Sequence, residues 1–169
     1  HMDRYGTIEE YVKAKQRIFT NAKTWVLNRQ QQDTWPHPIT GKLMSFGDDA
    51  HPQHFGLLSG NVDRSSGPVA VTYRGNVVLR ADQLKLQGIH NLINVQAALA
   101  LCEGISIDVE QAASAVKEFI GLPHRCELVS SDGDVLWVND SKATNIGATA
   151  AAVEGLRPTV NGRLLLIAG

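Results

Sequence analysis

The string Asn139-Asp140-Ser141-Lys142-Ala143-Thr144-Asn145 brings carboxylate, ammonium, hydroxyl and amide groups together directly after the apolar run Val135-Leu136-Trp137-Val138. A segment with helical character follows, so the string sits where a strand ends and a helix begins. Ligands of α/β folds bind at the carboxyl ends of strands, and a helix N-terminus attracts anions. A binding loop for an anionic ligand is one reading; a plain turn with Asn145 as helix N-cap is the other.

Three further groups could do chemistry. Asn91 and Asn94, in Gly88-Ile89-His90-Asn91-Leu92-Ile93-Asn94, are spaced i and i+3. Their amides project from one side of a helical turn. A carboxamide both donates and accepts, as reading a purine edge requires; the competing reading is an N-cap and a solvated face. Leu122-Pro123-His124-Arg125 makes a rigid turn that offers a planar, permanent cation to a phosphate, or to a backbone carbonyl. Lys15 falls inside the apolar stripe of Tyr11, Val12, Ile18 and Phe19. Such a lysine either snorkels to water or is held inward for a site. His37, His51 and His54 lie in a Pro-containing loop without the spacing or helix of a metal motif.

The elements that must position these groups follow from periodicity. Thr7 with Glu10 is a capping-box pattern, and the apolar spacing after it predicts a helix over residues 7 to 20. Trp25-Val26-Leu27 suits a buried strand. Residues 29 to 68 read as loops with a short strand near Leu43 to Phe46. Val69 to Arg74 and Val77 to Leu79 form a hairpin around Gly75-Asn76, and Leu84 and Leu86 continue the alternation. Helices are expected from about Asn91 to Glu103 and from about Val109 to Ile120, the second capped by Asp108 and stopped by Gly121. Beyond Pro123 come a hairpin around Asp132-Gly133, a helix around Asn145 to Glu154, a turn at Pro158 and Asn161-Gly162, and an apolar strand over Leu164 to Ile167. This places a domain boundary near Gly121 to Pro123, and the apolar run close to the end of the chain reads as part of a larger α/β unit.

Composition is that of a globular protein: 169 residues, 43% hydrophobic and 20% charged, with 16 Lys+Arg against 17 Asp+Glu. The resulting net charge of −1 gives no electrostatic argument for nucleic acid or membrane binding. No apolar run approaches the roughly 20 residues of a membrane span, and no secretory leader opens the chain. Cys102 and Cys126 lack metal-type spacing, so a reducing cytoplasm is expected.

In order and spacing, His1-Met2-Asp3-Arg4-Tyr5, Lys15, Gly88-x-His90-Asn91-x-x-Asn94-x-x-Ala97-Ala98, Gly121-Leu122-Pro123-His124-Arg125-x-Glu127 and Asn139 to Asn145 resemble the Mur ligases of peptidoglycan synthesis. The His-Asn-x-x-Asn pattern is shared with folylpolyglutamate synthetases. The 139–145 string is particular to the branch that adds D-glutamate. The resemblance implies an α/β chain holding the C-terminal half of a central ATPase domain (residues 1–121) and the start of a Rossmann-like C-terminal domain (residues 122–169). It implies an ATP-dependent, ADP-forming ligase joining D-glutamate to UDP-N-acetylmuramoyl-L-alanine through an acyl phosphate, with ATP and Mg²⁺ required.

By the same resemblance, His1 and a carbamylated Lys15 are metal ligands, and Asn91 and Asn94 lie on the adenine side. Arg125 lies near the phosphates, Asp140 contacts the nucleotide, and Lys142 and Thr144 serve the amino-acid side, Lys142 together with Lys15 in catalysis. A carbamate supplies the anionic oxygen that Mg²⁺ binds and an ammonium cannot. The family's G-x-x-x-x-G-K-[ST] phosphate loop does not occur in the chain, which by itself is therefore expected to be inactive. Other Mur-type or folylpolyglutamate-type ligases, or a non-catalytic nucleotide-binding module, are the alternative readings.

Overall fold

Thr7 starts the first helix, α1 (Ile8–Gln16), in the computed structural model, which describes residues 5–58, 69–86, 88–157 and 160–169. The Thr7 hydroxyl accepts from the Glu10 N–H at 3.2 Å, while the Glu10 carboxylate accepts from the Gly6 N–H at 2.9 Å. The expected capping box is thus displaced by one residue on its return bond. The helix tightens into a 3-10 turn over Arg17–Phe19 and stops before residue 20.

Strands β1 (Thr24–Asn28) and β2 (Lys42–Phe46) pair in parallel, with Trp25 and Leu27 pointing into the core. A second sheet is antiparallel, in the order β3 (Phe55–Leu58), β4 (Ala70–Tyr73), β5 (Asn76–Arg80). Strand β3 lies in the stretch read from sequence as loop. Phe55, Gly56 and Leu57 are all buried, so the strand lacks the alternation that marks a half-buried one. Its Phe55 ring stacks on Tyr73 across the ladder at 4.4 Å. The hairpin turn between β4 and β5 is Arg74-Gly75, one residue earlier than expected, with φ of +52° and +78°. A two-residue turn with both φ values positive matches the twist of its strands, and Asn76 becomes the first residue of β5.

Helix α2 (Ile89–Gly104) packs on β1, β2 and β3 through Leu92, Val95, Leu99 and Ala100. A fully buried Leu or Val side chain contributes roughly 1.5–3 kcal/mol. Helix α3 (Val109–Glu118) lies on α2 and β5. The Asp108 carboxylate caps it by accepting from the Gln111 N–H at 2.9 Å. The chain then passes Gly121 at φ +94°, a left-handed value that favours glycine.

Past Gly121, β6 (Glu127–Asp132) and β7 (Val135–Asn139) form an antiparallel hairpin whose turn residues are Gly133 and Asp134. Asn145 then caps α4 (Ile146–Leu156) by accepting from the Ala148 N–H at 2.9 Å. Helix α4 packs against α2. The run Leu164 to Ile167, expected as a strand, is irregular, and Leu165 and Ile167 are 83% and 86% exposed. Among the described residues no strand offers it a ladder, and without one an apolar run gains no strand hydrogen bonds. No helix of the described residues is long and apolar enough to cross a membrane.

Candidate functional site

Two turns and one helix end carry the candidate site. Helix α2 begins two residues before the expected start: Gly88 stands at φ +92° and its carbonyl accepts from the Asn91 N–H at 3.1 Å. Asn91 is therefore inside the first turn and is not the N-cap. Asn91 is half-buried and Asn94 exposed.

The 139–145 string is folded onto the Pro123–Glu127 turn. The Asp140 carboxylate accepts from the Cys126 N–H at 3.1 Å, and the Lys142 N–H donates to the His124 carbonyl at 3.1 Å. The Asn139 amide meets His124 Nδ1 at 2.9 Å, and its oxygen accepts from the Ser141 N–H at 3.1 Å. The Glu127 carboxylate holds the His124 N–H at 2.9 Å. These bonds sustain a costly backbone. His124 and Cys126 have φ of +65° and +45°, a conformation that costs a non-glycine residue about 1–2 kcal/mol. Arg125 lies between them, exposed, as are Lys142 and Thr144.

His90 connects the two parts. Its ring lies against Gly155 of α4, and the Asp140 carboxylate acts on it electrostatically. Burial pushes the imidazole down from its ordinary pKa, and Asp140 opposes that shift. Burial also pushes the Cys126 thiol up, with Asp140 adding to the effect.

The structure thus joins Asp140, Lys142 and the turn carrying Arg125, and sets them by way of His90 beside the helix turn of Asn91 and Asn94. Lys15 has a different setting. It is exposed, and its ammonium lies 5.4 Å from the centroid of the Tyr11 ring on the same helix. His1 lies outside the described residues. Among the described residues no group of three or more His, Cys, Asp or Glu side chains could hold a metal ion. His51 and His54 use their Nδ1 atoms for the backbone: His51 accepts from the Gln53 and His54 N–H groups at 3.1 and 3.0 Å, and His54 from the Ser45 N–H at 3.3 Å.

Sequence reasoning missed two polar groups that fix the scaffold. Gln96, 0% exposed, breaks the apolar face of Leu92, Val95, Leu99 and Ala100, and that interruption was the available signal. Arg29 donates to Asp49, to Ser45 Oγ at 3.0 Å and to the Phe55 carbonyl at 2.8 Å, tying β2 to β3. Nothing local marks it. The pairing of His90 with Gly155 is likewise invisible without the fold.

The Mur ligase middle domain matches residues 1–102. The chain is 82% identical over its full 169 residues to the UDP-N-acetylmuramoylalanine--D-glutamate ligase of Idiomarina loihiensis, and 39% identical to that of Alcanivorax borkumensis. It spans 36% of the length of each. Among solved structures, MurF from Acinetobacter baumannii superposes with a TM-score of 0.69 at 18% identity, covering 93% of this chain and 35% of that one. MurC from Thermotoga maritima gives a TM-score of 0.66 at 20% identity, with the same coverages of 93% and 35%. At such identities the structures speak for the fold alone, whereas the middle-domain match covers more than half of the chain: it belongs to the Mur ligase family.

Proposed function

We propose that the longer protein to which these residues belong is an ATP-dependent, ADP-forming ligase that joins D-glutamate to UDP-N-acetylmuramoyl-L-alanine in the cytoplasm. The observation that carries this is the 82% identity, over every residue of the chain, to a ligase named for that reaction. The 139–145 string, folded onto the Pro123–Glu127 turn, adds to that support.

In this reading residues 1–121 belong to the central ATP-binding domain and residues 122–169 open the amino-acid-binding domain. The cleft residues fit a nucleotide: Asn91 and Asn94 offer amides to a purine edge, Asp140 a carboxylate to sugar hydroxyls, and Arg125 a guanidinium to phosphate oxygens. ATP supplies the phosphoryl group that converts the L-alanyl carboxylate into an acyl phosphate, which the D-glutamate amine then displaces. Arg125 neutralises charge on the phosphoryl oxygens, while Lys142 and Thr144 orient the incoming amino acid.

Magnesium is a separate matter. Lys15 is the one described contributor, and as an ammonium it cannot ligate a cation; only its carbamate could, alongside His1. The described residues do not by themselves fit a magnesium site, so no step is assigned to one.

The test is incorporation of D-glutamate into UDP-N-acetylmuramoyl-L-alanine by the full-length protein, with one phosphate released per amide formed. Incorporation of an L-amino acid instead, or no ATP-dependent phosphate release, overturns the reading.

A further inference from the structure

Helices α2 and α4 meet where one side chain fits only because its opposite number has none. The His90 imidazole lies against the Gly155 backbone, and a Cβ on Gly155 would overlap the ring, standing 2.8 Å from Cε1. Gly88 approaches the same edge of the ring: a Cβ there would stand 2.8 Å from His90 Cε1 and 3.0 Å from the Gly155 carbonyl oxygen. Glycine is the poorest helix former after proline, so its use inside α4 needs a reason, and the ring supplies one. His90 Nδ1 is buried and has no hydrogen-bond partner among the described residues. An orphaned buried nitrogen persists where something other than its own hydrogen bonding fixes the ring, here its close packing on two glycines. Asp140, tied to the Cys126 N–H at 3.1 Å, stands close enough to act on the ring electrostatically.

Resting on the nucleotide reading of the cleft, we infer that His90 is a positioning residue: keyed into the notch at Gly155, its ring sets the spacing between the α2 turn of Asn91 and Asn94 and the turn of Asp140. The two halves of one nucleotide site are thereby held at a fixed separation. The ring makes no contact with the reacting atoms and acts through its neighbours.

In the full-length ligase, Gly155→Ala and His90→Ala are each expected to raise KM for ATP about tenfold with kcat changed by less than about twofold, the signature of lost uniform binding. A small residue at position 90 makes room for a methyl at 155. The His90→Ala/Gly155→Ala double variant should therefore show a KM well below the product of the two single effects. A KM for ATP unchanged in both single variants, effects that multiply in the double variant, or a fall in kcat without a rise in KM overturns the inference. If Gly155→Ala fails to fold, His90→Ala, which only removes atoms, decides it through the same split between KM and kcat. A wild-type parent that binds no ATP overturns the nucleotide reading itself, whereas a parent that turns ATP over while its variants keep KM overturns only the role of His90.

Discussion

Gln96, buried in the middle of α2, closes a two-bond ring with the backbone of Gly47 at the end of β2. Its amide donates to the Gly47 carbonyl at 3.0 Å and its oxygen accepts from the Gly47 N–H at 3.1 Å. One side chain thus satisfies both backbone polar groups of a buried residue and fixes where the chain leaves the parallel sheet.

Replacing Gln96 with Leu leaves those two groups unpaired in the core. At about 1–3 kcal/mol for each unsatisfied group, a loss of roughly 2–6 kcal/mol is expected. Gln96→Glu should also destabilise, because a carboxylate cannot donate to the Gly47 carbonyl. Urea denaturation followed by circular dichroism measures both; a midpoint unchanged in Gln96→Leu would refute the clamp.

The Arg29 guanidinium reaches Asp49 through Nε at 3.0 Å and Nη2 at 2.6 Å while Nη1 serves Ser45 and Phe55. It holds the Asp49 carboxyl below the usual carboxylate range. Arg29→Lys keeps the charge and loses the fork, so it should cost about 1–3 kcal/mol, nearly as much as Arg29→Met. A lysine variant with wild-type thermal stability would show that charge alone suffices.

Acid should loosen the loop between β2 and β3. Burial lowers the His54 pKa, with His51 and Arg29 adding to the shift, and its Nδ1 accepts the Ser45 N–H only when unprotonated. The unfolded chain, with His54 at its ordinary 6.5, binds the extra proton first. Stability is therefore full above that value and falls as pH drops through it toward the folded pKa. His54→Asn, whose amide oxygen can accept from Ser45 without titrating, should flatten the melting temperature measured between about pH 7 and pH 5.

Asp140→Asn retains an oxygen that can accept from the Cys126 N–H and removes the charge. The turn should stay folded while ATP binding by the full-length enzyme weakens about tenfold or more, as expected for loss of a charged hydrogen bond. Isothermal titration with ATP separates this from Asp140→Ala, which also frees the Cys126 N–H and should lower stability.

Local signals were read well from the chain and long-range ones were not. Thr7, Asp108 and Asn145 each cap the helix their spacing announces, and Trp25 and Leu27 alternate as a strand should. Strand β3 escaped because Phe55-Gly56-Leu57 is buried on every side, leaving no period to detect. The β4–β5 turn was displaced by one residue because Arg74, and not Asn76, takes the left-handed conformation, a choice imposed by register. At the candidate site, the polar string 139–145 was visible as an anomaly after an apolar strand. The fit of His90 against Gly155 depends on two helices distant in sequence, and no local pattern encodes it.

The hairpin β6–β7 carries a consequence for handling. Leu128, Val129, Leu136 and Trp137 are 59%, 61%, 56% and 53% exposed, so this ribbon is greasy on both sides. Water tolerates contiguous oily area of that kind poorly. A preparation of residues 1–169 should take up hydrophobic dye and clump as its concentration rises, and charged replacements at Leu136 and Trp137 should keep it in solution.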